Sequence, residues 1–238
     1  MIKKQKRTKR ELAQSLGLSR ASLCYISKQL PKDWSLKERI IPVLRDRPSY
    51  GFRRVALELR INKKRAQRVM KLFGMKACRR RGKRPRKTGL ASILYLSTVM
   101  DLFAREIAGW AVMNTHSVPL VLQALFSAAE HHPRPNIFHS DNGREYGSRI
   151  FTGALLGFGI RISRSKKSSP WENGYQESFY SQFKADLGDP ERFKSLGELV
   201  YEIHRLVWDY NHRRIHSALK MPPALFSNRY QKLVKKVS

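Results

Sequence analysis

Apolar positions along this chain fall into two regimes. Through residue 78 they recur at helical spacing, and from about residue 93 they alternate between strand-like and helix-like runs. In TKRELAQSLGLSRASLCYISKQL (8–30), Thr8 with Glu11 three positions on forms a capping-box pattern. Leu12, Leu16 and Leu18 flank Gly17, which suits a turn, and Ser19 is placed to cap a second helix with Leu23 and Ile26 on its inner face. This is helix-turn-helix spacing, with Arg20 and Ser22 presented to a groove, although a plain helical hairpin reads the same way. A second helical pair follows within 31–78. Ser49-Tyr50-Gly51-Phe52-Arg53-Arg54 opens one helix, which carries Val55, Leu57 and Leu59. Asn62 caps the next, with Ala66, Val69, Met70 and Phe73 on one face and Lys63, Lys64, Arg65, Arg68 and Lys71 on the other, and Gly74 as its stop.

The second regime opens with strands over 93–101 and 106–112, joined by the short DLFAR link as a hairpin. A helix is predicted over Val118 to His131, a strand over 137–141, a helix over 148–158 and a brief strand over 160–163. A basic, Ser-rich loop (Arg164 to Pro170) precedes a helix from about Glu172 to Leu187, and a longer helix covers 196–211. A hairpin followed by strand–helix alternation predicts an α/β layered domain.

Charge sharpens this division. The 238 residues carry 48 Lys+Arg against 18 Asp+Glu, a net of +30, and +24 of it lies in residues 1–90. An excess of this size points to a polyanionic partner, nucleic acid ahead of a membrane surface. The run Arg79 to Lys87 makes 79–90 a basic linker or phosphate-tracking segment. With 41% hydrophobic residues the chain can bury a core, which argues against wholesale disorder. Two cysteines exclude a disulfide scaffold or Cys-rich zinc site, no apolar run reaches a membrane span, and the N-terminus is not a secretory signal. A cytoplasmic protein associated with the nucleoid is expected.

Phosphodiester chemistry favours two divalent metals about 4 Å apart, and hard Mg²⁺ (with Mn²⁺ as a substitute) calls for clustered carboxylates. In so basic a protein, acids at strand ends stand out. Asp141 ends a predicted strand, and Glu177 lies on the helix after the basic loop that carries Lys166 and Lys167. Lys184 is seven residues beyond Glu177, two helical turns, and so shares its face. Solvated helix residues would have the same spacing. His212 and His216 have zinc-like spacing but no third ligand nearby in sequence. Trp110, Trp171 and Trp208 read as packing residues, and Trp171 is also placed to stack on DNA.

HSDNGREYGS (139–148), SSPWENGYQESFYSQFKADL (168–187) and WDYNHRRIHSALKMPPALF (208–226) resemble bacterial insertion-sequence transposases of the retroviral-integrase superfamily. YLSTVMDLFAREIAGWAV (95–112) and residues 50–76 resemble the same family, so the likeness covers nearly the whole chain. It implies a ribonuclease-H-like α/β integrase core over 91–238, preceded by all-α helix-turn-helix segments. It implies a DDE triad holding two Mg²⁺, action as a multimer on double-stranded DNA ends, and strand transfer by 3′-hydroxyl attack. Asp141 and Glu177 match the second and third acids, Lys184 matches the basic residue two turns on, and Arg213 falls in a DNA-contact segment. The family's first aspartate sits on an earlier strand, in a Trp-x-x-Asp-(Ile/Phe)-Thr pattern that this chain lacks. No acid occurs between Glu58 and Asp101. The expectation is a core without its first strand. Asp101 is the only stand-in, at a different register and depth. Two readings follow: an impaired transposase, or a non-catalytic DNA-binding product that inhibits transposition. A helix-turn-helix regulator is weaker, because it has no need of Asp141, Glu177 and Lys184.

Overall fold

The computed structural model describes residues 8–24, 29–78, 94–166 and 169–237. Ile26, the 79–90 linker and Lys167 lie outside the described residues.

Two short helices come first, α1 (Lys9–Ser15) and α2 (Arg20–Cys24). The capping box forms: the Glu11 amide donates to Thr8 Oγ1 and the Thr8 amide to Glu11 Oε2 at 2.9 Å. Gly17 takes the left-handed φ of 64° that the turn needs. The Ser22 amide donates to Ser19 Oγ at 3.0 Å, so Ser19 caps α2 as its position predicts.

Next comes a three-helix unit: α3 (Gln29–Asp46), α4 (Phe52–Glu58) and α5 (Lys63–Leu72). The pair expected here is therefore three helices, and α4 opens at Phe52, with Ser49 and Tyr50 outside it. α3 holds Pro42 in its interior, which breaks the helical signal, yet Leu36 and Ile40 bury against Tyr50, Val55, Val69 and Met70. Packing of that face outweighs the lost hydrogen bond.

The α/β part has β1 (Tyr95–Met100) paired antiparallel with β2 (Ile107–Met113). α6 (Val118–His131) lies across this hairpin so closely that a Cβ at Gly109 would meet the Ala128 amide nitrogen at 2.3 Å. β3 (Ile137–Ser140) pairs parallel with β4 (Arg161–Arg164), and α7 (Arg149–Gly157) crosses between them. Among the described residues the strands form two separate two-stranded sheets. Three helices follow: α8 (Gly174–Leu187), α9 (Leu196–His212) and α10 (Pro223–Val237). Ile107 of β2, Phe179, Phe183 and Leu187 of α8, and Leu199, Ile203, Val207 and Tyr210 of α9 make one core. Asn211 ties that core to the hairpin, its side-chain amide accepting from the Ile107 N–H and donating to the Ile107 carbonyl, both at 2.9 Å.

Among the described residues, β1 has β2 as its one strand neighbour. In an antiparallel strand alternate residues turn their backbone groups to opposite edges. Leu96 and Thr98 share an edge, and α8 side chains reach both carbonyls. Tyr180 Oη donates to Leu96 O at 3.2 Å, and Gln176 Nε2 to Thr98 O at 2.9 Å. Thr98 Oγ1 in turn donates to Tyr180 Oη at 3.1 Å and accepts from Gln176. Helix side chains here do the work of a neighbouring strand.

The three-helix unit is clasped to the core. Tyr50 is 0% exposed, and its hydroxyl accepts from the Ile215 amide at 2.8 Å. Arg47 reaches Asp209 at 3.2 Å, and the Ser49 amide and hydroxyl donate to Asp186 at 3.3 and 3.2 Å. Buried Arg214 pairs with Asp186 and donates to Ser49 Oγ and Gln182.

Candidate functional site

β3 delivers Asp141 to a tight turn. Asp141 Oδ1 accepts from the Gly143 amide at 3.0 Å, and Asn142 Nδ2 donates to the Ser165 carbonyl at 2.8 Å. The turn is thus tied to the residue just past β4. A Cβ at Gly143 would lie 2.6 Å from Glu145 Oε2 and 3.0 Å from Asp141 Oδ1, so glycine is what lets both carboxylates approach this backbone. Glu145 pairs with His116 at 2.8 Å. His139 lies between two hydroxyls, Ser163 Oγ at 2.9 Å and Ser165 Oγ at 3.1 Å.

Two phenols lie in the field of Asp141. Burial pushes the Tyr146 hydroxyl up to about 12, with Tyr180 and Asp141 adding to the rise. Burial also raises Tyr180, and Asp141 contributes. Tyr146 hydrogen-bonds Ser97 of β1, while Tyr180 holds Leu96 and Thr98. Both phenols therefore stay neutral and are anchored to β1.

Glu177 lies in the first turn of α8 and is exposed, as is Lys184 two turns on. Gln176, next to Glu177, fastens that turn to Thr98. Lys166 is exposed, and its amide donates to Glu172 Oε2 at 2.8 Å. Asp101 is exposed at the far end of β1, where its carboxylate accepts from the Phe103 amide at 2.8 Å and shapes the hairpin turn. It is four residues beyond Ser97, about 13 Å along an extended strand. Among the described residues no group of three or more His, Cys, Asp or Glu is arranged to hold a metal ion.

The basic residues take different positions. Arg20, Lys63, Lys64 and Arg65 are exposed. Arg68 makes a two-pronged bond to buried Asp33, at 2.6 and 2.7 Å, so its guanidinium is already occupied. Arg213 lies over the ring of Trp208, 5.3 Å from its centroid. Trp208 itself is 44% exposed and packs by stacking on His212, and Trp171 is 73% exposed, so neither lies in the core. Gln176, Tyr180 and Asn211 escaped the sequence reading. Their signal was polar groups at helical spacing beside an apolar face.

Comparison with known proteins bears on this arrangement. Residues 85–170 and 158–223 each match an integrase core domain family. The chain is 34% identical over 129 residues to the transposase for insertion sequence element IS904 of Lactococcus lactis, covering 53% of this chain and 51% of that protein. It is 28% identical to the putative transposase InsK for IS150 of Escherichia coli, covering 88% of this chain and 89% of that one. Among solved structures it resembles a chain of the simian T-cell lymphotropic virus intasome in complex with a PP2A regulatory subunit, at TM-score 0.51 and 17% identity, over 73% of this chain and 69% of that one. With the integrase-type fold, both core-domain matches and these relatives agreeing, the chain belongs to the DDE, or retroviral-integrase, superfamily of insertion-sequence transposases.

Proposed function

We propose that this chain recognises the DNA ends of an insertion sequence and is impaired in the cleavage and strand transfer its family performs, because its core lacks the first strand and that strand's aspartate. The observation that carries the reading is the occupied edge of β1. Gln176 and Tyr180 hold the Leu96 and Thr98 carbonyls, where a central strand of this fold would lie. The split into two sheets supports it. So does the alignment with InsK, which runs over 254 positions yet takes in 88% of a 238-residue chain, so the relative holds residues without a counterpart here.

Asp141, Glu177 and Lys184 keep the places of two acids and a phosphate-facing cation. Two carboxylates without the third leave a divalent ion short of ligands. The exposed Lys63, Lys64 and Arg65 of α5, with Arg20 of α2, supply DNA affinity that needs no metal. Function on paired ends implies a homo-oligomer on DNA. In the described residues no helix is long and apolar enough to cross a membrane, and we place the protein on the nucleoid in the cytoplasm.

The test is a strand-transfer assay on element ends with Mg²⁺ or Mn²⁺, run beside a binding assay. The expected result is DNA binding that falls steeply with salt, and no metal-dependent product. Robust product that disappears in Asp101→Asn would overturn the reading and make Asp101 the working first aspartate.

A further inference from the structure

Where the three-helix unit meets the core, positive charge gathers around one imidazole. Arg54 comes from α4, Arg105 from the turn between β1 and β2, and Arg214 from the segment after α9. All three act on His216 and on Tyr210. Arg54 Nε donates to Ser217 Oγ at 3.2 Å, which places it beside His216. Two acids are at hand beside Arg214, and both are engaged: Asp186 is shared by Arg214 and Ser49, and Asp209 is held by Arg47.

Three buried nitrogens here have no hydrogen-bond partner: Arg105 Nη1, Arg214 Nε and His216 Nδ1. The Arg105 guanidinium lies over the Tyr175 ring, 3.5 Å from its centroid, which meets its charge on one face and leaves its edge donors unmet. Arg214 is 4% exposed, so water does not serve its nitrogen freely. Unmet guanidinium donors in a buried place are costly, and like charges brought together add to the cost. One ligand class relieves both. A tetrahedral oxyanion brings negative charge and several acceptors to a cluster that offers only donors and a switchable imidazole.

We propose that Arg54, Arg105, Arg214 and His216 form a binding site for a phosphate-class anion. It lies apart from Asp141 and Glu177. Because Arg54 belongs to the helical unit and Arg105 and Arg214 to the core, an anion bound there holds the two parts together. Burial, helped by the three arginines, lowers His216 to about 4, so it is neutral when the site is empty. An added dianion opposes the arginines' field and moves that titration upward.

The test uses the full chain in potassium phosphate and in potassium chloride at matched ionic strength. Phosphate is expected to raise the melting temperature above chloride and to shift the His216 imidazole resonances. Arg105→Gln is expected to bind phosphate about tenfold more weakly, because it loses a charge-assisted contact. If Arg105→Gln does not fold, Arg54→Lys keeps the charge, removes the fork and should weaken the same response. A duplex arm separates the two sources. If a DNA phosphate fills the site, Arg105→Gln lowers the salt-dependence slope of DNA binding by about one phosphate. If the slope stays while the phosphate response is lost, the occupant is free phosphate. Equal melting in the two salts with His216 unmoved, or a full phosphate response in Arg105→Gln, would overturn the site.

Discussion

The two helical units ahead of the core carry similar sequence patterns and behave differently. Among the described residues, α1 buries Ala13, and Leu16 and Leu18 are 58% and 50% exposed. The α3–α5 unit has its own apolar core and is bolted to α8 and α9 through Tyr50, Arg47, Ser49 and Arg214. Both present basic side chains, and among the described residues it is the second that hydrogen bonds tie to α8 and α9. Periodicity announces a helix. Whether the helix is free or clasped depends on a few distant polar partners that periodicity does not encode.

The largest expected effect breaks the clasp. Arg214→Ala leaves Asp186 without its buried guanidinium, and should cost about 3–5 kcal/mol in denaturant unfolding. A loss below about 1 kcal/mol would mean the clasp is not what joins the unit to the core.

A smaller effect is internal to the clasped unit. The two-pronged bond from Arg68 holds the Asp33 carboxyl below its ordinary range, outweighing the opposing effect of burial. A depressed folded pKa contributes stability that is present above the ordinary carboxylate value and lost as pH falls through the folded value. Asp33→Asn should remove that acid-side dependence and cost about 2 kcal/mol, a discounted figure because Arg68 remains half in water. An unchanged acid limb in the melting profile would separate Asp33 from the unit's stability.

In the unclasped unit the effects should stay local. Thr8→Ala should cost α1 about 1 kcal/mol, seen as faster amide exchange in residues 9–15 with no shift in the main melting transition. Leu18→Ser, at a half-exposed position, should change stability by less than about 0.5 kcal/mol. A main-transition shift from either would show that α1 and α2 are docked after all.

Much of the α/β part was legible from sequence. The hairpin, the span of α6, the Asp141 turn and α9 follow from alternation, caps and Gly or Pro stops. α3 was hidden because Pro31 and Pro42 interrupt a polar segment, and its helix is secured by burial of Leu36 and Ile40. The clasp was hidden for a different reason: Arg214 finds Ser49 across 165 positions, and no local pattern records such a pairing. For the site, residue type and spacing picked out Asp141, Glu177 and Lys184. They could not reveal that Tyr146 and Tyr180 anchor to β1 within the field of Asp141, or that Asp101 points its carboxylate into a turn.

The capped edge of β1 also sets an order of events during synthesis. Tyr180 reaches Thr98 across 82 residues, so the hairpin leaves the ribosome well before its cover. At roughly 5–20 residues per second, that interval is about 4–16 s. Throughout it the Leu96 and Thr98 carbonyls are open to any strand that arrives first, another nascent copy included. Yield of soluble protein should therefore depend on how fast residues 100 to 180 are translated.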